Sequence, residues 1–284
     1  EGGLVRLPAS ISTSARRYEE EGKVRGWLRN VRLMSRFLGG AEPENLAVKY
    51  PPRRVGSGAR VGGSGGDTGR ATLLVFAKAP RPGEVKTRLA RTLGPEGAPA
   101  YERAAELYRR MGRNIVDAVT DAPATMTVCY DPVDAESEVR DWLGPAPRQY
   151  RYQGDGDLGE RMSRMFDRAF EDSHRVVVIG TDTPAVDAGT VVRAVAALDT
   201  ADVVLGPSRD GGYYLMALRA PQPGLFAGVE WSTESVLAES VIRARGLGLR
   251  VTFLEVEADV DTAGDLVREG MESAAGRLIR GWPG

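Results

Sequence analysis

The chain has 284 residues, 42% of them hydrophobic, with 38 Lys/Arg against 39 Asp/Glu. That length suits one large domain or two modest ones, and no run nears the ~20 apolar residues of a membrane span. One cysteine, Cys129, excludes an internal disulfide, and one histidine, His174, excludes a His-rich zinc cluster. A reducing, cytoplasmic setting is therefore expected. Any metal is expected to be hard and oxygen-ligated, Mg²⁺ or Mn²⁺. The near-zero net charge gives no reason to expect a nucleic-acid partner.

Charge is unevenly spread. Residues 1–70 carry 13 Lys/Arg and 7 Asp/Glu, and the rest carries the compensating acidic surplus. The sequence opens on Glu1 rather than Met, as a fragment or a processed chain would. Within the head, "VRGWLRNVRLMSRFL" places Val24, Trp27, Leu28, Val31, Met34 and Leu38 on one helical face and four arginines on another. Such a basic amphipathic helix has two readings: weak contact with an anionic membrane surface through 24–38, or packing within the protein. The glycine- and serine-rich stretch 56–69 reads as a flexible linker. The acidic triplet 19–21 argues against a transit peptide. The expected division is a flexible extension over 1–70 and a folded body over 71–284. Deleting residues 1–70 is then expected to leave the melting temperature nearly unchanged, and a large drop would place the head in the core.

From residue 71 strands and helices alternate. "TLLVFAK" (72–78) is a buried strand, followed by a Pro/Gly loop and a helix over 97–119 with Ala104, Leu107, Tyr108, Met111, Ile115 and Val119 on one face. A strand at 124–130, a short helix near 134–143 and a strand near 148–153 follow. Asp157 and Glu160 have capping-box spacing at the start of the next helix, 157–172. "RVVVIG" is a strand and 187–198 a helix. "DVVLGP" and "GYYLMAL" are strands around an "SRDG" turn. A helix at 233–245, a strand at 250–256 and a helix at 262–273 end the chain. This pattern predicts an α/β sandwich around a largely parallel sheet, with ligands at the carboxyl ends of its strands.

Five strand-end motifs stand there. "KAPRPGEVKTRL" (78–89) offers Lys78, Arg81, Lys86 and Arg88 but only Gly83, so phosphates would be held by side-chain cations rather than by a glycine-rich backbone; the alternative is a solvated basic loop. "QGDGDLGERM" (153–162) brings Gly156, Asp157 and Gly159 into a turn that suits a base or sugar, or simply a helix cap. Asp182, after the buried "VVVIG", suits a divalent cation beside a nucleotide diphosphate, or turn chemistry before a helix begun by Thr183 or Asp187. "GPSRDGGYYLMAL" (206–218) puts Asp210 at the mouth of the site as a general base, or only in an Asp-Gly hairpin. "DVDTAGDL" (259–266) puts Asp261 within reach of a metal, or before a Thr262–Asp265 capping box. Taken together they describe a site for a polyanion with a divalent cation, and hence transfer from a nucleotide-activated donor.

On these segments, with "EWST", the body over about 72–273 resembles the GT-A nucleotide-diphospho-sugar transferase superfamily. Within it, the chain is similar to the DUF2064 glycosyltransferase-like group, which itself resembles phospholactate and molybdenum-cofactor guanylyltransferases. The resemblance implies a Rossmann-like three-layer sandwich with a mostly parallel mixed sheet, one strand antiparallel, and a divalent metal. It implies Asp182 and Asp261 as metal ligands, Lys78, Lys86 and Arg88 at the nucleotide phosphates, and Gly156 to Gly159 at the base. Relatives often carry Pro-Glu where this chain has Ala263 and Gly264, so its last helix loses a pre-organised start.

Three functions are compatible with these residues. A glycosyltransferase would move a sugar from a nucleotide-diphospho-sugar to an acceptor, with Asp210 as base and Glu230 in reserve. Gly211, Gly212, Tyr213 and Trp231 would then line the sugar or acceptor, although core packing serves the aromatics equally. A nucleotidyltransferase would join a nucleoside triphosphate to a phosphorylated small molecule, with the Lys/Arg loop steadying the transferring group. A non-catalytic nucleotide-sugar module would bind without turnover.

Overall fold

The structure, a computed structural model, describes residues 71–93, 97–144 and 149–266. The amphipathic segment 24–38 and the linker 56–69 lie outside the described residues. So does most of the helix expected at 262–273, of which 263–266 are helical.

Seven strands form one sheet: β1 (Ala71–Lys78), β2 (Ala124–Asp131), β3 (Gln149–Tyr152), β4 (Arg175–Ile179), β5 (Val203–Pro207), β6 (Tyr213–Leu218) and β7 (Val251–Phe253). Their order is β3-β2-β1-β4-β6-β5-β7. β6 runs antiparallel to β4 and β5, and every other pair is parallel. The helices are α1 (Thr87–Thr92), α2 (Ala98–Ala118), α3 (Glu136–Leu143), α4 (Leu158–Ala169), α5 (Ala188–Ala197) and α6 (Val236–Gly246). A six-residue helix over 87–92 was not anticipated. It is under two turns long, too short for the 3.6-residue period to show in the sequence.

The strand sequences explain the layering. β1 and β4 are apolar at nearly every position because both sheet faces are covered. Leu73, Val75, Val177 and Ile179 join a core closed by α2, α3 and α5. Leu74, Val176 and Val178 point the other way, into a core closed by α4 and α6. On α2, Ala104, Leu107, Tyr108, Met111 and Ile115 are buried, as their spacing predicts. Phe166 of α4 is 1% exposed, and burial of that kind stabilises by roughly 2–3 kcal/mol per large apolar side chain. The result is the expected three-layer sandwich. Among the described residues no helix is long and apolar enough to cross a membrane.

The strand order also locates a crevice. From β1 the sheet grows through β2 and β3 on one side and through β4 on the other. Loops leaving β1 and β4 therefore diverge, and the gap between them at their carboxyl ends is where open α/β sheets bind ligands.

Candidate active site

The loop after β1 turns at Gly83 (φ +81°) and enters α1 at Lys86, whose own φ of +47° lies in the left-handed region. A lysine there is a strained choice that tertiary contacts must hold in place. Two contacts do so. The Lys86 Nζ donates to Asp182 Oδ1 at 2.7 Å and to Asp261 Oδ1 at 3.1 Å. The Lys86 side chain is only 6% exposed. Burial alone would lower its ammonium, but the charges of Asp182 and Asp261 outweigh that and hold it above its ordinary range. Arg88, the second residue of α1, places Nη2 2.5 Å from Asp261 Oδ2. Asp261 thus holds one cation on each oxygen.

Asp182 reaches this cluster because it is not needed as a cap. Asp187 caps α5, accepting from the Thr190 N–H at 2.8 Å. That leaves the Asp182 carboxylate, 48% exposed, aimed at Lys86. The Asp182 carbonyl accepts from the Val260 N–H at 3.1 Å, which stitches the β4 loop to the segment after β7. In that extended segment Val260 is fully buried, so Asp259 and Asp261 both turn toward the site. Asp261 precedes a cap built by Thr262 and Asp265. The Asp265 N–H donates to Thr262 Oγ1 at 3.2 Å, and Thr262 Oγ1 donates to Asp265 Oδ2 at 2.7 Å. Thr262 and Asp265 therefore cap, as one reading of this motif expects, while Asp261 pairs with the side chains of Lys86 and Arg88.

Asp259 was not singled out as a site residue, yet it lies in the same cluster. Thr183 Oγ1 donates to it. Burial, then the charges of Asp210 and Asp182, push its carboxyl up to about 7. The Asp-x-Asp spacing in an extended segment was the available signal. Asp210 stands in the turn between β5 and β6, where Ser208 N–H donates to the Gly212 carbonyl at 3.0 Å. Its Oδ1 accepts from Ser208 Oγ and from the Gly212 N–H, the latter at 3.0 Å. Gly211 adopts φ +94°, which completes the tight turn. The hairpin reading of Asp210 holds, and its charge also acts on Asp259. Beneath the site, the Tyr108 hydroxyl accepts from the Lys78 N–H at 3.1 Å and pairs with Thr181 Oγ1 at 2.8 Å. Burial, followed by the Asp182 charge, raises that phenol to about 12, so it stays a neutral support.

Other candidates are placed differently. The Lys78 Nζ donates to the Glu84 carbonyl across its own loop, at 3.2 Å. Arg81 turns outward to Glu138 at 2.9 Å and Asp134 at 3.4 Å, because those two acids on α3 and the turn before it draw the guanidinium away from the crevice. Asp157 caps α4 in a full capping box with Glu160, as its spacing predicts. Gly156 (φ +105°) passes close to Glu160, and its carbonyl accepts from Arg161 Nε at 2.9 Å. Arg161 also pairs with Asp131 at 3.2 Å, which ties this glycine loop to the end of β2, on the opposite side of β1 from Asp182. Tyr213 and Trp231 pack on the core under α4 and α6, so the core-packing reading describes both. Trp231 stacks on Phe226 with centroids 6.4 Å apart, and the Tyr213 hydroxyl is buried beside Ser240. Glu230 is exposed and its N–H reaches Glu239, apart from the acidic cluster.

Trp231 does touch the glycine loop, through Gly159. A Cβ on Gly159 would fall 2.2 Å from the indole Nε1 and 2.5 Å from Cε2. Gly159→Ala is therefore expected to displace the indole and cost about 1–3 kcal/mol of stability, read as a lower melting temperature. An unchanged melt would show that the indole moves freely.

Among the described residues, no three His, Cys, Asp or Glu side chains are grouped to hold a metal by themselves. Two carboxylates do converge on one cation, the Lys86 ammonium. That donor set fits a hard ion which takes one or two carboxylates and completes its shell with phosphate oxygens and water.

The DUF2064 family, described as an uncharacterized protein conserved in bacteria, matches residues 114–233. A solved protein of Desulfovibrio desulfuricans G20, proposed to be a nucleotide-diphospho-sugar transferase, is 32% identical over 74% of this chain and 94% of its own, with a TM-score of 0.65. The chain belongs to this family. Family membership and fold agree with the arrangement of strands and crevice. Two further structures are similar at lower levels. A CMP:2-keto-3-deoxy-manno-octonic acid synthetase complexed with CTP is 13% identical over 75% of this chain and all of its own, with a TM-score of 0.46. A 4-diphosphocytidyl-2C-methyl-D-erythritol synthase from Anaerococcus prevotii DSM 20548 is 12% identical over 74% and 96%, with a TM-score of 0.46. No curated protein matches the chain.

Proposed function

We propose that the chain is a metal-dependent transferase acting on a nucleotide-activated donor, and that it moves a sugar from a nucleotide-diphospho-sugar to a hydroxyl acceptor. The observation that carries the reading is the convergence of Asp182 and Asp261 on the Lys86 ammonium, with Arg88 on the second oxygen of Asp261, at the crevice between β1 and β4. Asp182 and Asp261 would hold Mg²⁺ or Mn²⁺, which supplies charge neutralisation for the departing nucleotide diphosphate. Lys86, Arg88 and Lys78 bind the phosphates, Arg88 by its fork and the lysines as point charges. The glycine loop 154–159 lies across β1 from them, where the base would rest. Asp210, oriented by Ser208 and the Gly212 N–H, accepts the acceptor hydroxyl's proton as its oxygen bonds to the sugar and the sugar–phosphate bond breaks. Asp259 stands beside it, and its tendency to stay protonated limits charge repulsion within the pair.

One observation favours a second reading. The buried Lys86 and its neighbour Arg88 form a cation pair suited to steadying a transferring α-phosphate, as nucleotidyl transfer requires. Product analysis separates the two. Nucleoside diphosphate released from a sugar nucleotide supports glycosyl transfer, whereas pyrophosphate released from a triphosphate supports nucleotidyl transfer. Binding without either product would leave only the nucleotide-sugar module.

A further inference from the structure

At the other end of the sheet, about 20 Å from Lys78 along β1, lies a cavity of about 80 Å³ that no part of the proposed reaction uses. It opens at the amino ends of β1, β2 and β3, beneath the carboxyl end of α4. Its floor departs from the pattern of its sheet face. Leu74, Cys129, Val176 and Met165 make that face apolar, but Thr72, Thr125 and Thr127 bring hydroxyls to it. Thr72 Oγ1 is paired with Ser173 Oγ at 2.6 Å. Thr127 is only 5% exposed and lines the cavity.

The rim carries Arg151 on β3 and Arg168 on α4. Most arginines of the body are ion-paired or bonded to carbonyls, whereas among the described residues neither of these has a hydrogen-bond or ion-pair partner. Arg151 pairs in register with Cys129, so it stands on this face of the sheet, and Arg168 lines the same cavity from α4. One acid, Asp172, also stands at the rim, leaving the lining net positive. The space exceeds what a single water needs, about 10–15 Å³ by the same measure.

We propose that this cavity is a second anion site, which takes inorganic phosphate or the phosphate of a small phosphomonoester between Arg151 and Arg168, with the Thr127 hydroxyl as donor from below. Two guanidiniums and a hydroxyl supply the donors that a tetrahedral oxyanion takes. The site is separate from the candidate active site and does not depend on the reaction assigned to it.

Amide chemical shifts of the ¹⁵N-labelled full chain, read during titration with inorganic phosphate and then with ribose 5-phosphate at constant ionic strength, test this. The expected result is saturable movement of amides at 125–127, 149–151 and 173, reported separately from any at 83–88. Tighter saturation by ribose 5-phosphate would identify a phosphomonoester site, and equal or weaker saturation a phosphate site. Arg151→Ala with Arg168→Ala, both on the surface and safe for folding, is expected to weaken this response at least about tenfold while leaving that at 83–88 in place. Thr127→Val should weaken it less. Absence of saturable shifts at 125–127 and 149–151, or their persistence in the double arginine variant, would overturn the assignment.

Discussion

Asp182→Asn is expected to weaken Mn²⁺-dependent nucleotide binding at least ten- to a hundredfold while leaving the fold intact. Asp182 is half exposed and caps no helix, so the substitution removes charge without breaking local structure. The asparagine carbonyl can still accept from the Lys86 ammonium, which preserves the contact that steadies α1. A hard divalent ion responds differently, because a neutral amide replaces one of only two converging carboxylates. Isothermal titration with nucleotide, with and without Mn²⁺, gives the answer. Binding unchanged in the presence of Mn²⁺ would remove Asp182 from the metal site, whatever the reaction.

Lys86→Met should have two opposite effects. Nucleotide affinity is expected to fall about tenfold or more, because one of the cations proposed to bind the phosphates is lost. Affinity for free Mn²⁺ is expected to rise, because the ammonium now stands between the oxygens that the ion would use. Without it, Asp182 loses its cation partner and only Arg88 remains on Asp261, leaving a net repulsion of about 1 kcal/mol once solvent screening at Asp182 is allowed for. The variant should therefore melt lower than the parent in metal-free buffer and regain stability on adding Mn²⁺, while the parent gains less. A variant that binds Mn²⁺ no better than the parent would show that the ammonium and the metal do not compete for one position.

Much of this site could be read from residue order. The apolar run ending in Asp182, the Lys/Arg loop after β1 and the acids after β7 each fall at strand ends, and an alternating α/β pattern sends strand ends to one side. Local chemistry was the most legible: Asp157 with Glu160, Asp187 with Thr190, and Thr262 with Asp265 all cap as their three-residue spacing indicates. Partner choice was not legible. Lys86 meets Asp261 across 175 residues, and only the strand order decides that the loop after β1 faces the segment after β7. The same topology gives Arg81, five residues before Lys86, to the acids of α3 instead. Aromatic residues were ambiguous for a different reason. Trp231 and Tyr213 suit a sugar platform or a core equally well by type, and in the structure both pack against the core under α4 and α6. Asp259 was overlooked because its partner Thr183 is 76 residues away, although its place two residues before Asp261 on an extended segment put both on one side.

The most direct test of the central claim is nucleotide binding by the full chain, measured by titration with a panel of nucleoside diphosphates, triphosphates and nucleotide sugars, with Mn²⁺ and with a chelator. A metal-dependent site built on Asp182, Asp261, Lys86 and Arg88 predicts binding of at least one nucleotide that tightens at least tenfold with Mn²⁺. Nucleotide binding of equal strength in chelator, or none under either condition, would contradict it.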